Sequence, residues 1–193
     1  MKIVIIKYNA GNIGSVLNTL ARLGYPAEVT GDHDRILNAD KVIFPGVGEA
    51  STTMKYLKEK GLCELITGLT QPVLGICLGM QLMCSWSEEG DTPGLGIFDE
   101  KIDRFRIAEK IPHMGWNSIW FEPVGLFKGL TPGDYVYFVH SFYAQTGKHT
   151  LATCTYGIDF SAALHKDNFY ATQFHPEKSS AVGQQILKNF IEL

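Results

Sequence analysis

The chain is short of several features that would assign its class directly. Its 193 residues include only four cysteines, Cys63, Cys77, Cys84 and Cys154. None forms C-x-x-C, and no cysteine–histidine cluster has zinc spacing, so neither a disulfide scaffold nor a structural metal site is expected. That usage fits a reduced, cytoplasmic setting. No apolar run reaches the length of a membrane span. The opening Lys2-Ile3-Val4-Ile5-Ile6 reads as a strand and is too short for a secretory core, so no leader is expected. A charge excess of either sign is also lacking. Charged residues make up 19% of the chain and the net charge is −3, which gives no basic footprint for nucleic acid or an anionic membrane. Repeats, linkers and low-complexity tracts are missing as well, so residues 1–193 read as one domain.

What is present is an ordinary apolar fraction, 45%, in a chain long enough to bury a sizeable core. Ile3 to Ile6 is continuously apolar, as in a strand covered on both faces of a parallel sheet. Val16, Leu17, Leu20 and Leu23 fall at helical spacing, with Gly24 as the stop. Short strands follow at Ala27 to Thr30 and Lys41 to Phe44, and residues 50 to 69 read as helix, broken near Gly61. This alternation predicts a doubly wound α/β sheet, whose sites form at the carboxyl ends of strands. Residues 97 to 173 read mostly as antiparallel strands packed on that core, with a hairpin turn at Asp167-Asn168.

The stretch that carries chemistry is Val73 to Met83: an apolar strand, an abrupt turn and a helix. Cys77 sits at the turn, with Gly75 and Gly79 two residues away on either side. This is a G-x-C-x-G form of the nucleophile elbow, in which a tight turn leaves no room for neighbouring Cβ atoms. A helix beginning there turns free N–H groups and its positive dipole end toward the sulfur. The N–H of Leu78 is placed to donate to an oxyanion. Gln81, four residues on, shares the face and looks into the same pocket. A buried core cysteine between packing glycines is the alternative.

A base is available downstream. In Gln173-Phe174-His175-Pro176-Glu177-Lys178-Ser179, the proline keeps His175 extended, and extended residues i and i+2 point to one side. Glu177 can then hold one imidazole nitrogen while the other faces a thiol, a nucleophile–base–orienter set. His140 is a rival without an acidic neighbour in its own segment and reads as structural or substrate-lining. His33, His149 and His165 read as surface residues, and Cys63, Cys84 and Cys154 as core filler. Pro45-Gly46-Val47-Gly48 is either a second oxyanion loop or a simple strand-to-helix turn. Glu88 or Glu89 either binds a substrate amino group or caps a solvated tip. His113-Met114-Gly115-Trp116-Asn117 reads as a partner interface or as a core-packed β turn.

Gly75-Ile76-Cys77-Leu78-Gly79-Met80-Gln81 together with His175-Pro176-Glu177 resembles the class I glutamine amidotransferases, over the whole chain. The segments at 45–48, 113–117 and 140–143, with Lys178-Ser179, are similar to the glutaminase subunits of imidazole glycerol phosphate synthases. The resemblance implies a flavodoxin-like α/β fold, with a mostly parallel sheet flanked by helices and an antiparallel β-rich second half. It implies hydrolysis of L-glutamine without metal or organic cofactor, and transfer of ammonia to a (β/α)8-barrel cyclase in a heterodimer. By matching position, Cys77 is the nucleophile, His175 the base and acid, and Glu177 the orienter. Leu78 with Val47 or Gly48 would supply oxyanion donors. Gln81, Glu89, Ser141 and Phe142 would bind substrate, and Asn12, His113, Met114, Trp116, Asn117 and Lys178 would face the cyclase. Lys7 departs from the acidic residue many members carry before the Tyr8 loop. Alternatives are a glutaminase serving another synthase, such as one amidating a surface sugar, an inactive scaffold on this fold, or a cysteine peptidase.

Overall fold

A computed structural model describes residues 1–9 and 13–193. The first half alternates as the apolar pattern predicts: β1 (Ile3–Ile6), α1 (Ile13–Arg22), β2 (Ala27–Thr30), α2 (His33–Leu37), β3 (Lys41–Gly46), α3 (Ala50–Glu59), α4 (Leu62–Thr67), β4 (Val73–Cys77) and α5 (Leu78–Met83). The helical stretch at 50–69 does break at Gly61, which takes a left-handed φ of 65°. Ile3 and Ile5 pack against Val16 and Leu20 of α1, while Val4 and Ile6 join Met54, Leu57 and Ile66 of α3 and α4. Alternate side chains of one strand thus enter two cores, which is why the run is apolar without a break.

The second half adds β5 (Trp86–Ser87), β6 (Thr92–Pro93), β7 (Lys101–Arg104), β8 (His113–Ser118), β9 (Trp120–Phe121), β10 (Tyr135–His140), β11 (Phe142–Ala144), β12 (Thr150–Tyr156), β13 (Ile158–Lys166), β14 (Phe169–Thr172) and α6 (Ser180–Glu192). The main sheet runs β2-β1-β3-β4-β14-β13-β11-β7-β5-β6, parallel from β2 to β14. Beyond β14 it is antiparallel through β13 and β11 to β7. Lys166 pairs with Phe169, so Asp167-Asn168 is the expected two-residue hairpin turn, with Asp167 at φ 54°.

Two registers position the site. Gly46 of β3 pairs with Cys77 of β4. Thr172 of β14 pairs with Ile76 of β4. The segments leaving β3, β4 and β14 therefore emerge side by side at one sheet edge.

Some local expectations change. Residues 113–117 form a strand, not a turn; β8 pairs antiparallel with β10, His113 opposite His140. Gly115, at φ 133°, sits inside that strand and made the segment read as a turn. The strand breaks at Ser141 between β10 and β11, and β11 joins the main sheet while β10, among the described residues, pairs only with β8. His149 is not a surface residue, because its ring packs over a buried carboxylate, Glu100, with Nδ1 and Oε2 2.9 Å apart.

Candidate active site

Cys77 ends β4 and caps α5 with φ 54° and ψ −108°, a region a residue with a Cβ occupies only under strain. The flanking glycines allow it. A Cβ on Gly75 would lie 2.7 Å from Met83 Sδ, and one on Gly79 would collide with the Phe44 carbonyl oxygen. Leu78 opens the helix, so its N–H has no acceptor within it. The thiol donates toward Val139 O at 3.9 Å and accepts from Gln173 Nε2 at 3.8 Å.

His175 follows β14 in extended conformation, φ −97° and ψ 96°. Its N–H donates to Tyr137 O at 2.9 Å, and Ser179 Oγ donates to its carbonyl at 2.7 Å. Pro176–Lys178 forms a 3-10 turn. The carboxylate therefore returns to the ring through a tight turn, not through the i, i+2 alternation of an extended strand. Nδ1–H donates to Glu177 Oε1 at 2.8 Å, with both side chains almost wholly buried. Nε2 is buried and not engaged by Glu177, and Cys77 is the other side chain that acts on the ring. Burial disfavours the charged ring, but negative charge at Cys77 and at Glu177 outweighs it, and the His175 pKa rises to about 10.

A cleft of about 360 Å³ opens over these groups. Val47, Gly48, Cys77 and Leu78 line it, together with Gln81, Glu89, Ser141, Phe142 and His175. Glu177 stands behind the ring and does not reach the cleft. Glu89 accepts from Ala50 N at 2.8 Å; burial and then the neighbouring Glu49 raise its pKa. Glu88, the other acidic candidate, turns away to Arg106 and to Arg104 N.

A nucleophile at a strained elbow, a buried imidazole held by a carboxylate, and a cleft with free helix N–H groups can together run acyl transfer. The family model for glutamine amidotransferase class-I matches residues 4–193. The chain belongs to that family. Within it, the amidotransferase is 60% identical to the imidazole glycerol phosphate synthase subunit HisH of Bacteroides fragilis, over all of both chains. It is 46% identical to the subunit of that name from Escherichia coli, again over all of both chains. In fold it is similar to a solved glutamine amidotransferase, with TM-score 0.76 and 19% identity over 98% of this chain and 97% of that one. PurLQS from Thermotoga maritima gives TM-score 0.74 and 11% identity, over 99% of this chain and 97% of that one.

His140 lines the amidotransferase cleft, one of the two readings its sequence context allowed, and Pro112 and Val139 join it without a local pattern to announce them. Tyr8, buried below, donates its hydroxyl to Pro45 O and so pins the strand leading to Val47. Gln173 is fully buried against the sulfur. Its one sequence signal is a polar side chain inside the run Phe169 to Phe174, which burial obliges to find partners.

The residues expected to face a cyclase divide. Met114 and Trp116 are exposed, at 62% and 52%. Lys178 is exposed with Nζ 5.9 Å from the Tyr137 ring, and that ring lies 6.1 Å from Trp116. Asn117 is half-buried. His113 is buried, stacked between Tyr156 and Phe138, so its ring faces inward from the strand that carries Trp116. Asn12 lies outside the described residues.

His113 Nδ1 and His140 Nε2 are 3.0 Å apart, and His140 Nδ1 donates to Phe142 O at 2.7 Å. Burial lowers the His113 pKa to about 4. For His140, burial with the neighbouring His113 and His175 outweighs the Phe142 bond, and its pKa falls to about 3.

A larger cleft, about 730 Å³, lies at the amino ends of β1 and β2 and is lined by Lys2, Glu28 and Arg35 without a nucleophile. Among the described residues no His/Cys/Asp/Glu group could hold a metal ion, and no helix is long and apolar enough to cross a membrane.

Proposed function

We propose that this chain is the glutaminase subunit of an imidazole glycerol phosphate synthase, hydrolysing L-glutamine to glutamate and ammonia and passing the ammonia to a (β/α)8-barrel cyclase in a heterodimer. The observation that carries the reading is the shared cleft of Cys77 and His175, with Glu177 on the far nitrogen of the ring. The relatives at 46–60% identity over full length support the histidine-biosynthetic assignment.

In this reading Sγ gives its proton to His175 Nε2, the nitrogen that Glu177 does not engage, and attacks the glutamine side-chain amide carbon. Leu78 N–H, with Val47 or Gly48, receives the oxyanion. His175 then protonates the leaving ammonia. Water, deprotonated by the same nitrogen, cleaves the thioester and releases glutamate. Glu177 holds the tautomer and stabilises the imidazolium. Gln81 has both amide hydrogens committed to Phe142 O and Gln173 Oε1, which leaves its Oε1 to accept from the substrate ammonium. Glu89 supplies negative charge for the same group, and Ser141 and Phe142 bound the substrate. The exposed Met114 and Trp116, beside Tyr137 and Lys178, suit the cyclase face, being apolar and cationic together.

The test is hydrolysis of glutamine by the subunit alone and with its cyclase carrying ligand. Cys77→Ser is expected to abolish turnover while circular dichroism stays that of the wild type. Retained turnover in that variant would end the proposal.

A further inference from the structure

Side chains far apart in sequence join into a single hydrogen-bonded path that ends on the Cys77 sulfur. A backbone carbonyl can only accept, and this fixes the direction of the path. Phe142 O takes His140 Nδ1–H at 2.7 Å and Gln81 Nε2–H at 3.0 Å. The second hydrogen of that Gln81 amide goes to Gln173 Oε1 at 2.9 Å. The Gln173 amide is thereby oriented, with its oxygen toward Gln81 and its NH2 toward Sγ at 3.8 Å. Turning either amide over would set donor against donor or acceptor against acceptor. Gln173 is fully buried, and Gln81 nearly so. The donor is thus held at the sulfur by protein contacts.

We propose that Gln173 is a further catalytic residue of this site, whose Nε2–H stabilises negative charge on the Cys77 sulfur, and that Gln81 positions it. The proposal rests on the glutaminase reading above. A neutral thiol is a weak acceptor and a thiolate a strong one, so the bond tightens as the Sγ proton moves to His175 Nε2. When Sγ bonds the amide carbon, the electron pair leaves sulfur and the charge passes to the carbonyl oxygen, where Leu78 N–H receives it. The bond tightens again when water displaces the sulfur from the thioester. Val139 O, 3.9 Å from Sγ, is an acceptor and can only hold the protonated thiol. Gln173 therefore opposes Val139 and biases the sulfur toward its reactive form.

The test measures alkylation of Cys77 by iodoacetamide against pH, read by mass spectrometry of its peptide so that Cys63 does not contribute. The proteins compared are wild type, Gln173→Met and Gln173→Glu. Gln173→Glu is isosteric, retains the bond from Gln81 and, when ionised, offers the sulfur only acceptors, so it keeps the site where the methionine variant does not fold. A hydrogen bond to a charged group predicts a loss of roughly 10- to 100-fold in alkylation rate at neutral pH for both variants. Their profiles move to higher pH and reach the wild-type rate at the alkaline limit. A purely structural role would lower that limiting rate without moving the profile. Profiles of a folded variant that overlay the wild type, or a lowered limit with no movement, overturn the inference. Alkylation needs no glutamine, so a wild type that hydrolyses none even with its cyclase sinks the glutaminase reading by a separate measurement.

Discussion

At the scale of single residues, the site brings backbone strain and buried charge together, at Cys77 and at the His175–Glu177 pair. Cys77 holds a positive φ, a conformation that costs on the order of 1–3 kcal/mol and is sustained here by two glycines and the surrounding sheet. His175 and Glu177 face each other with almost no water contact. A charged hydrogen bond in such surroundings is worth roughly twice a neutral one. Glu177→Gln keeps an acceptor near Nδ1 and removes the charge that stabilises the imidazolium. It is expected to lower glutaminase turnover by about tenfold or more, since charged hydrogen bonds contribute about 1.5–3 kcal/mol. Steady-state kinetics with circular dichroism as the fold control checks this. An unchanged rate would mean that Glu177 does no more than pack.

Between residues and the whole lies the β8–β10 hairpin, which faces two ways. Outward it presents Met114 and Trp116; inward it carries His113 and His140 against Phe105, Phe138 and Phe160. Both rings are neutral in the fold, with pKa values lowered to about 4 and about 3. Unfolded, they take up protons near pH ~6.5. Below that value and above the folded pKa the unfolded chain binds more protons, so stability is lost as the pH falls. Each ring contributes a slope of at most about 1.4 kcal/mol per pH unit. Urea denaturation between neutral pH and the folded values is expected to show this decline. His140→Gln, which keeps a donor and an acceptor but cannot titrate, is expected to flatten it. An equally steep decline in that variant would assign the pH dependence elsewhere.

For the whole molecule, one sheet gathers segments that are distant along the chain. β14 pairs with β4 although nearly a hundred residues separate them, and β3 pairs on the other side. The same fold sets Trp116, Tyr137 and Lys178 together on one exposed patch. If that patch is the cyclase face, Trp116 is its natural anchor, because large aromatics dominate interface energetics. Trp116→Ala is expected to weaken the heterodimer by about 2 kcal/mol, roughly 30-fold in Kd, while the basal turnover of the isolated subunit is unchanged. Titration calorimetry with the cyclase measures it. Undiminished affinity would move the interface off this hairpin.

Much of the site could be read from local spacing. The cysteine between Gly75 and Gly79 and the His175-Pro176-Glu177 run are short-range patterns, and short-range sterics govern them. The apolar run at Ile3 to Ile6 announced a doubly covered strand for the same reason. His113 and Gly115 misled, because a glycine inside a strand looks like a turn until its partner strand is known. The route from Glu177 to the ring was also misread: a 3-10 turn and an extended strand both begin with the same extended histidine.

The sequence by itself determined which groups can do the chemistry and which backbone each one needs, since those requirements act within a few residues. Only the tertiary structure decided what the groups touch. Gln173 reaches the sulfur across 96 positions, and His113 meets His140 across 27. Such contacts follow from strand register and packing, where one residue of slippage would turn every side chain to the opposite face.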